Sequence, residues 1–295
     1  MRPTRKSAHK PKPRKEHQPE PRQQREKGHK GPISTKNPQR LKQSNAQAHR
    51  RSPSAGEDFW IYGRHAVTAA LGNPRRNIQR LMLTREAEST LEVSFSPSLK
   101  PEIVGVQEIA ALLPPGAVHQ GIALLADPLP AIAIEDVIAR VKNNPQATIV
   151  VLDQVTDPRN VGAIMRSAAA FGAEAVILPE RNSAGVSPTL AKAASGALET
   201  VLMARVTNIK RALELLKKEE FWCIGLDGGA KTAIGSVDLS GRVVLVMGSE
   251  GRGLRRLVAQ SCDVLASLPI SSAMESLNVS AAAAIALYEA ARKRS

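Results

Sequence analysis

The stretch Val243-Val-Leu-Val-Met247 is followed directly by the loop Gly248-Ser-Glu250-Gly-Arg-Gly253, which contains three glycines and one acid. A short, continuous apolar run predicts a β-strand that is buried on both faces, as in parallel sheets covered by helices. The glycines allow a tight turn and a close approach of the backbone to a ligand. Because open α/β sheets form ligand sites outside the carboxyl ends of their strands, this loop is a candidate site.

The same alternation of apolar runs and helix-like segments continues through residues 148–295. The other predicted strands are Ile149–Leu152, Ala175–Leu178, Trp222–Leu226 and Val264–Leu268. The predicted helices cover residues of about 160–171, 189–197, 208–220, 253–260 and 277–292. Strands separated by helices indicate a parallel sheet covered on two sides, so periodicity predicts a doubly wound α/β domain.

The N-terminal half of the chain divides into a tail, a small domain and a linker. Residues 58–127 are predicted to form a small α/β domain, and residues 128–147 a linker with a helix at about 134–142. The predicted elements of the small domain are helices His65–Leu71 and Val106–Leu113 and strands Ile78–Leu83 and Ile122–Leu125. Residues 1–57 are predicted to be disordered, because they have too few large apolar residues to offset the entropy of ordering.

The basic charge of the protein belongs to this tail. The whole chain has a net charge of +14. Residues 1–55 hold 16 of its 41 Lys and Arg residues but only 3 of its 27 Asp and Glu residues, so nearly all of the excess positive charge lies in them. This distribution predicts non-specific attraction to a polyanion such as RNA. A solubilising extension is an alternative, and an organellar transit peptide is disfavoured by the Lys and Pro content.

The remaining composition narrows the class of protein. The sequence has no apolar run long enough to span a membrane and no signal-peptide core, which predicts a cytoplasmic protein. Cys223 and Cys262 lack the spacing of metal ligands, so reduced thiols and no metal are predicted, although a disulfide between them stays open. Cys223 lies in an apolar run and is predicted to be a buried structural thiol.

A second motif, Asn160-Val-Gly162-Ala-Ile-Met-Arg166, begins a predicted helix. Arg166 points away from the apolar stripe of this helix, and Gly162 lies four residues earlier on the same face. Arg166 is therefore predicted to lie over the gap left by Gly162, where a guanidinium would reach a phosphate or a ribose. A solvated helix arginine is the alternative interpretation. The predicted stripe consists of Val161, Ile164, Met165 and Ala168.

A third motif comprises Leu268-Pro-Ile270 and Ser276-Leu-Asn278-Val-Ser280. Ser276 is predicted to be the N-cap of the last helix, with Asn278 in its first turn. Polar groups in a first turn also converge on ligands, so both residues are candidates for an active site. Glu250 either complements the dipole of the helix that follows it or takes part in the same site. Dinucleotide-binding and P-loop signatures are missing, which excludes a dehydrogenase and a P-loop enzyme.

In this order and at these separations, the three motifs resemble the SpoU/TrmH family of RNA ribose 2′-O-methyltransferases. The resemblance runs from about Trp60 to the end of the chain. The small domain resembles the RNA-substrate-binding domain of the family at Gly63-Arg64-His65-Ala66-Val67 and Val118-His119-Gln120-Gly121-Ile122. The resemblance implies a SPOUT fold, an α/β fold whose last helix is threaded through a loop as a trefoil knot, and a homodimer.

The resemblance also implies the reaction and its residues. The reaction is transfer of the methyl group of S-adenosylmethionine to a ribose 2′-hydroxyl, most similar to members that modify a guanosine of 23S ribosomal RNA. The implied active-site residues are Arg166, Asn160, Glu250, Ser276 and Asn278, and the implied cofactor contacts are Gly248, Leu268 and Leu277. Because guanidinium groups stay protonated in proteins, we interpret Arg166 as a phosphate clamp and an electrostatic stabiliser, in its own subunit or across the dimer.

Three other functions compete with this interpretation. The same chemistry on tRNA stays open, because only analogy with the small domain favours ribosomal RNA. A non-catalytic RNA-binding or ribosome-assembly factor is disfavoured, because all five implied active-site residues are present. A small-molecule methyltransferase is disfavoured as well, because neither the basic tail nor the small domain would serve it.

Overall fold

The computed structural model describes residues 58–93, 96, 99–130 and 132–294 of the chain. All of them belong to one compact unit, residues 48–295. The predicted disorder of residues 1–57 lies outside the described residues.

The first of two sheets is small and contains four strands in the order β1-β4-β2-β3. Its central strand β4 pairs antiparallel with β1 and β2, while β3 runs parallel to β2. The strands are β1 (Trp60–Tyr62), β2 (Ile78–Leu83), β3 (Glu102–Ile103) and β4 (Ile122–Ala126). The helices of this part are α1 (Arg64–Leu71), α2 (Arg85–Ser89) and α3 (Val106–Leu112).

The second sheet has seven strands in the order β7-β6-β5-β10-β8-β11-β9, and every pair is parallel. The parallel sheet predicted from periodicity is therefore confirmed. Its strands are β5 (Thr148–Leu152), β6 (Ala175–Pro179), β7 (Leu202–Val206), β8 (Trp222–Leu226), β9 (Thr232–Ala233), β10 (Val243–Met247) and β11 (Val264–Ser267). Its helices are α4 (Ile134–Val141), α5 (Pro158–Ala170), α6 (Pro188–Ala194), α7 (Ile209–Lys218), α8 (Arg256–Ala259) and α9 (Val279–Arg292).

Helices cover both faces of the seven-stranded sheet. Side chains alternate along β5, so that Val150 and Leu152 join the cluster beneath α5, α6 and α9. Ile149 and Val151 join the opposite cluster, beneath α4 and α7. The helix of the predicted linker is thus a packed part of this layered structure.

Several elements differ from the sequence prediction. Strands β1, β3, β7 and β9 and helix α2 were missed. The first, second and fourth of these strands have only two or three residues, α2 has only five, and Arg205 interrupts the apolar run of β7. Helix α8 begins at Arg256 rather than near 253, because Gly253 adopts a positive φ of 64°. Helix α9 begins at Val279 rather than at 277.

Helices α5 and α6 pack together at Gly162. A Cβ atom on Gly162 would lie 2.6 Å from both the Ala193 Cβ and the Leu190 carbonyl oxygen. The predicted buried stripe of α5 is confirmed. The prediction that Gly162 leaves a gap for a ligand beneath Arg166 is wrong, because the backbone and side chains of α6 fill the space beside Gly162.

A buried ion pair joins the small sheet to the large one. Arg76 Nη2 lies 2.8 Å from Glu199 Oε1, and the two side chains are 1% and 5% exposed. Asn73 Nδ2 donates to the same carboxylate over 2.6 Å, and Arg76 Nη1 donates to the Asp127 carbonyl over 2.8 Å. Each guanidinium nitrogen of Arg76 and the amide nitrogen of Asn73 therefore has an acceptor, as a buried charge requires.

Candidate active site

Three residues that are distant in sequence meet at the carboxyl end of the large sheet. Glu250 Oε1 accepts hydrogen bonds from Asn160 Nδ2 over 2.9 Å and from Asn278 Nδ2 over 2.8 Å. Asn278 Nδ2 also lies 3.1 Å from Asn160 Oδ1. We call these three residues the polar cluster. They follow β5, β10 and β11, so parallel strands bring the three motifs to one edge.

The polar cluster is also the N-terminal cap of α9. Asn278 Oδ1 accepts from the backbone N–H groups of Ser280 and Ala281, at 2.8 and 3.4 Å. The Val279 N–H donates to Glu250 Oε1 over 3.4 Å. The carboxylate thus lies where a helix dipole favours negative charge, but at α9 and not at the helix that follows its own loop. The prediction of Ser276 as the N-cap is wrong, because the helix begins two residues later than expected.

A buried carboxylate that the sequence interpretation missed aligns the strands beneath the cluster. Asp153 directly follows β5, and its N–H donates to the Met247 carbonyl at the end of β10 over 2.7 Å. Its side chain is fully buried and accepts from the N–H and Nε groups of Arg255, at 2.9 and 2.7 Å. An acid immediately after an apolar strand was the available signal.

The loop after β10 folds back on itself. Ser249 and Gly253 exchange two backbone hydrogen bonds, of 3.1 and 2.9 Å. Gly251 and Gly253 have φ values of 79° and 64°, which favour glycine. A Cβ atom on Gly248 would collide with the backbone of Gly253. The glycine at 248 is therefore required first by the loop itself, which presents Glu250.

The other predicted active-site residues, Arg166 and Ser276, lie outside these hydrogen bonds. Both side chains are exposed, and neither makes a hydrogen bond or ion pair to any residue in the described part of the chain. Arg166 lies on α5, in which Asn160 occupies the first turn. The structure brings together three of the five residues and leaves two available to a ligand.

The loop 268–277 presents apolar side chains next to the polar cluster. Leu268 and Leu277, the predicted cofactor contacts, are half-buried, whereas Ile270 and Met274 are 40% and 61% exposed. The loop is held by short-range bonds, such as the Met274 N–H to the Ser271 carbonyl over 3.1 Å. It leads directly into Asn278. Apolar side chains and accessible backbone beside a polar cluster match an aromatic base attached to a charged group.

The described residues contain neither a cluster of potential metal ligands nor a disulfide. They contain no group of three or more His, Cys, Asp or Glu side chains that could hold a metal ion. Both cysteines are free thiols, and burial raises the pKa of Cys223 to about 12 and that of Cys262 to about 11. The prediction of Cys223 as a buried thiol is confirmed. No helix in the described residues is both long enough and apolar enough to cross a membrane.

Two family descriptions match the chain. The SpoU rRNA Methylase family matches residues 147–288, and the domain described as RNA 2′-O ribose methyltransferase substrate binding matches residues 60–131. The sequence-based resemblance is thereby confirmed, and the second match covers the small sheet.

Two curated relatives and one solved structure are similar to the chain. The 23S rRNA (guanosine-2′-O-)-methyltransferase RlmB of Escherichia coli K12 is 38% identical, over 80% of this chain and 98% of its own length. An uncharacterized tRNA/rRNA methyltransferase of Synechocystis is 40% identical over 79% of this chain, which spans 62% of that relative. The SpoU methyltransferase AviRb of Streptomyces viridochromogenes, solved with the cofactor AdoMet, has a TM-score of 0.67 at 22% identity, covering 80% of this chain and 90% of its own.

The AviRb comparison supports the fold alone, whereas the RlmB comparison spans both sheets at an identity that shows common ancestry. Together with the two matched domains, it shows that this chain belongs to the SpoU rRNA methylase family.

Proposed function

We propose that the protein transfers the methyl group of S-adenosylmethionine to a ribose 2′-hydroxyl of RNA, with a guanosine of 23S ribosomal RNA as the target. The observation that carries this proposal is the polar cluster, in which three family motifs converge beside the apolar loop 268–277. The name of the E. coli relative supports the choice of ribosomal guanosine. The SpoU rRNA Methylase match over residues 147–288 supports methyl transfer, and AdoMet is the cofactor bound by AviRb, a protein of the same fold.

The residues around the donor have distinct tasks. S-adenosylmethionine supplies a methyl group carried on a sulfonium. In the proposal, Leu268 and Leu277 flank the adenosyl group, and Gly248 contributes backbone at the end of β10. As the methyl carbon forms a bond to the ribose oxygen, its bond to the sulfonium sulfur would break and leave a neutral thioether, and the hydroxyl proton would pass to solvent. The negative charge that develops on the oxygen and the positive charge of the sulfonium cancel in the products, so a site that excludes water would favour the transfer.

Polar side chains would orient the hydroxyl. All described bonds to Glu250 reach Oε1, so within the described residues Oε2 is left to accept a bond from a ribose hydroxyl. Asn160 and Asn278 hold this carboxylate in place. The exposed Arg166 would bind a neighbouring phosphate and stabilise negative charge on the reacting oxygen, while Ser276 would contact the same nucleotide.

A homodimer would complete the site. Ala281, Ile285 and Tyr288 form an exposed stripe on α9, at helical spacing, and the latter two are 43% and 50% exposed. Because α9 packs beside α5, a second copy on this stripe would lie near Arg166. We propose this dimer, the trefoil knot of the SPOUT fold and a cytoplasmic location, since ribosomal RNA is made and assembled there in bacteria.

The basic tail and the two domains have proposed roles in the same function. Residues 58–127 would bind substrate, residues 148–295 would bind the donor and catalyse transfer, and residues 128–147 would connect them. The tail of residues 1–57 would add non-specific attraction to RNA through its Lys and Arg residues.

Labelled methyl donor tests the function directly. The purified protein is incubated with S-adenosylmethionine and with total RNA from a strain that lacks this gene, and ribose methylation is then mapped. We expect label on one guanosine of 23S ribosomal RNA. Label in tRNA would identify the competing substrate, and no label in any RNA would identify a non-catalytic factor.

A further inference from the structure

Lys192 is a half-buried cation on α6, and its ammonium group lies against the small sheet. Its Nζ donates to Gln120 Oε1 over 3.2 Å and lies 5.8 Å from the centre of the Tyr62 ring. No carboxylate within the described part of the chain pairs with it. Burial lowers the pKa of Lys192, and no acidic group counteracts that effect. A partly desolvated charge without a countercharge is unfavourable, so this arrangement calls for an anion.

Two unusual backbone conformations hold this cation. Gly63 has a φ of 85°, and a Cβ atom there would collide with Lys192 Nζ. Gln120 has a φ of 56°, although it is not glycine, and its Oε1 also accepts the Arg64 N–H over 3.1 Å. Conformations of this kind are unfavourable for a residue that has a side chain, and they persist where the surroundings require them. The Lys192 position is therefore built by the small sheet.

The groups around Lys192 are cationic or neutral. Burial raises the pKa of Tyr62, and the positive charge of Arg159 acts in the opposite direction and lowers it. Burial lowers the pKa of His119, and the Lys192 charge lowers it further. The raised pKa of Tyr62 and the lowered pKa of His119 both favour the uncharged form of the side chain. Arg159 directly precedes Asn160 of the polar cluster, so positive charge extends from Lys192 toward the active site.

We propose that Lys192, with Gln120, binds a backbone phosphate of the RNA strand whose ribose enters the polar cluster. The inference rests on the proposed function for its ligand, since RNA supplies phosphates at regular spacing beside the target ribose. Helix α6 connects the two places rigidly, because it carries Lys192 and packs on α5 at Gly162, two residues after Asn160.

The test compares single charge removals in the full-length protein. Lys192→Met removes the charge and the donor, whereas Lys192→Gln removes only the charge. Lys210→Met is the matched control, because Lys210 lies exposed on α7, beneath the other face of the sheet, and pairs with Glu214. The affinity for a labelled single-stranded RNA oligonucleotide is measured as a function of salt concentration.

Both Lys192 variants should bind the RNA several-fold more weakly and lower the magnitude of the salt slope by about one. The control should keep the wild-type slope, and melting temperatures should not fall in either Lys192 variant. Wild-type affinity and slope in both Lys192 variants would overturn the proposal.

A competition arm separates RNA from free phosphate. At matched ionic strength, inorganic phosphate should displace RNA no better than chloride. A phosphate-induced rise in melting temperature that is lost in Lys192→Met, together with an unchanged RNA slope, would indicate a free-phosphate site and refute the inference. Calorimetry with S-adenosylmethionine is run in parallel. If the wild-type protein did not bind S-adenosylmethionine, the proposed function would be refuted. The salt dependence of RNA affinity in the Lys192 variants would still decide whether Lys192 binds RNA.

Discussion

At the scale of single residues, the candidate site contains two kinds of side chain. Some hydrogen-bond one another within the protein, and others are left available to bind a ligand. Glu250, Asn160 and Asn278 bind one another, so much of their geometry exists before any ligand arrives. Arg166 has no such partner in the described residues. A preorganised carboxylate and an available guanidinium suit a reaction in which orientation and electrostatic stabilisation supply the acceleration.

Replacement of Arg166 tests this division. Arg166→Ala should lower methyl transfer at least 100-fold, on the order expected when an electrostatic stabiliser is lost. Binding of S-adenosylmethionine, measured by calorimetry, should change little, because Arg166 contacts the RNA in the proposal. Arg211→Ala on α7, also exposed, serves as the control and should retain full activity. Retained turnover in Arg166→Ala would remove this residue from the mechanism.

At the scale of elements, helix ends and helix contacts determine where the motifs lie. Helix α9 begins at the polar cluster, and α5 is fixed by its contact with α6. A change in either helix therefore reaches the site through its framework.

The cap of α9 gives a paired comparison. Asn278→Ala removes an acceptor from two backbone N–H groups and should lower the free energy of unfolding by about 1 kcal/mol. Ser276→Ala should change it by less than about 0.5 kcal/mol, because the hydroxyl is exposed and lies outside the helix. Urea unfolding measures both. The reverse order would restore Ser276 as the cap.

For Gly162→Ala, the contact between α5 and α6 and the intrinsic helix propensity predict opposite changes in the free energy of unfolding. Alanine is intrinsically favoured over glycine in a helix by about 1 kcal/mol. Gly162→Ala should nevertheless lower the free energy of unfolding by about 1–3 kcal/mol, because the new methyl group meets the backbone of α6. Gly235→Ala is the control, since a Cβ atom there meets nothing within 4 Å. A stabilised Gly162→Ala protein would contradict the packing.

At the scale of the whole molecule, a shared apolar core and a polar contact both hold the small sheet against the large one. One cluster of buried apolar side chains extends from β1, β2 and β4 to β5, α5 and α6. Arg76, Glu199 and Asn73 form the buried part of this contact. Lys192 and Gln120 form the part that faces the proposed RNA path. The polar contacts therefore add specific pairings to an apolar core that both sheets share.

Loss of Glu199 should be costly for this reason. Glu199→Ala leaves Arg76 buried without a countercharge and should lower the free energy of unfolding by about 3–5 kcal/mol. Glu214→Ala breaks an exposed pair on α7 and should cost less than about 1 kcal/mol. Denaturant titration of both variants measures the difference. Equal, small losses would show that the buried pair does not stabilise the contact.

The sequence by itself determined the alternation of elements, the parallel sheet, the three motifs and the family. These depend on local apolar periodicity and on residues that recur at set separations. The tertiary structure alone decided that Asn160, Glu250 and Asn278 share hydrogen bonds over separations of up to 118 residues. It also decided that α6 fills the space beside Gly162. Only the structure shows that Asp153 binds Arg255 and that Lys192 binds Gln120. Such contacts join elements far apart in the chain, and no local pattern records which neighbours a side chain will meet.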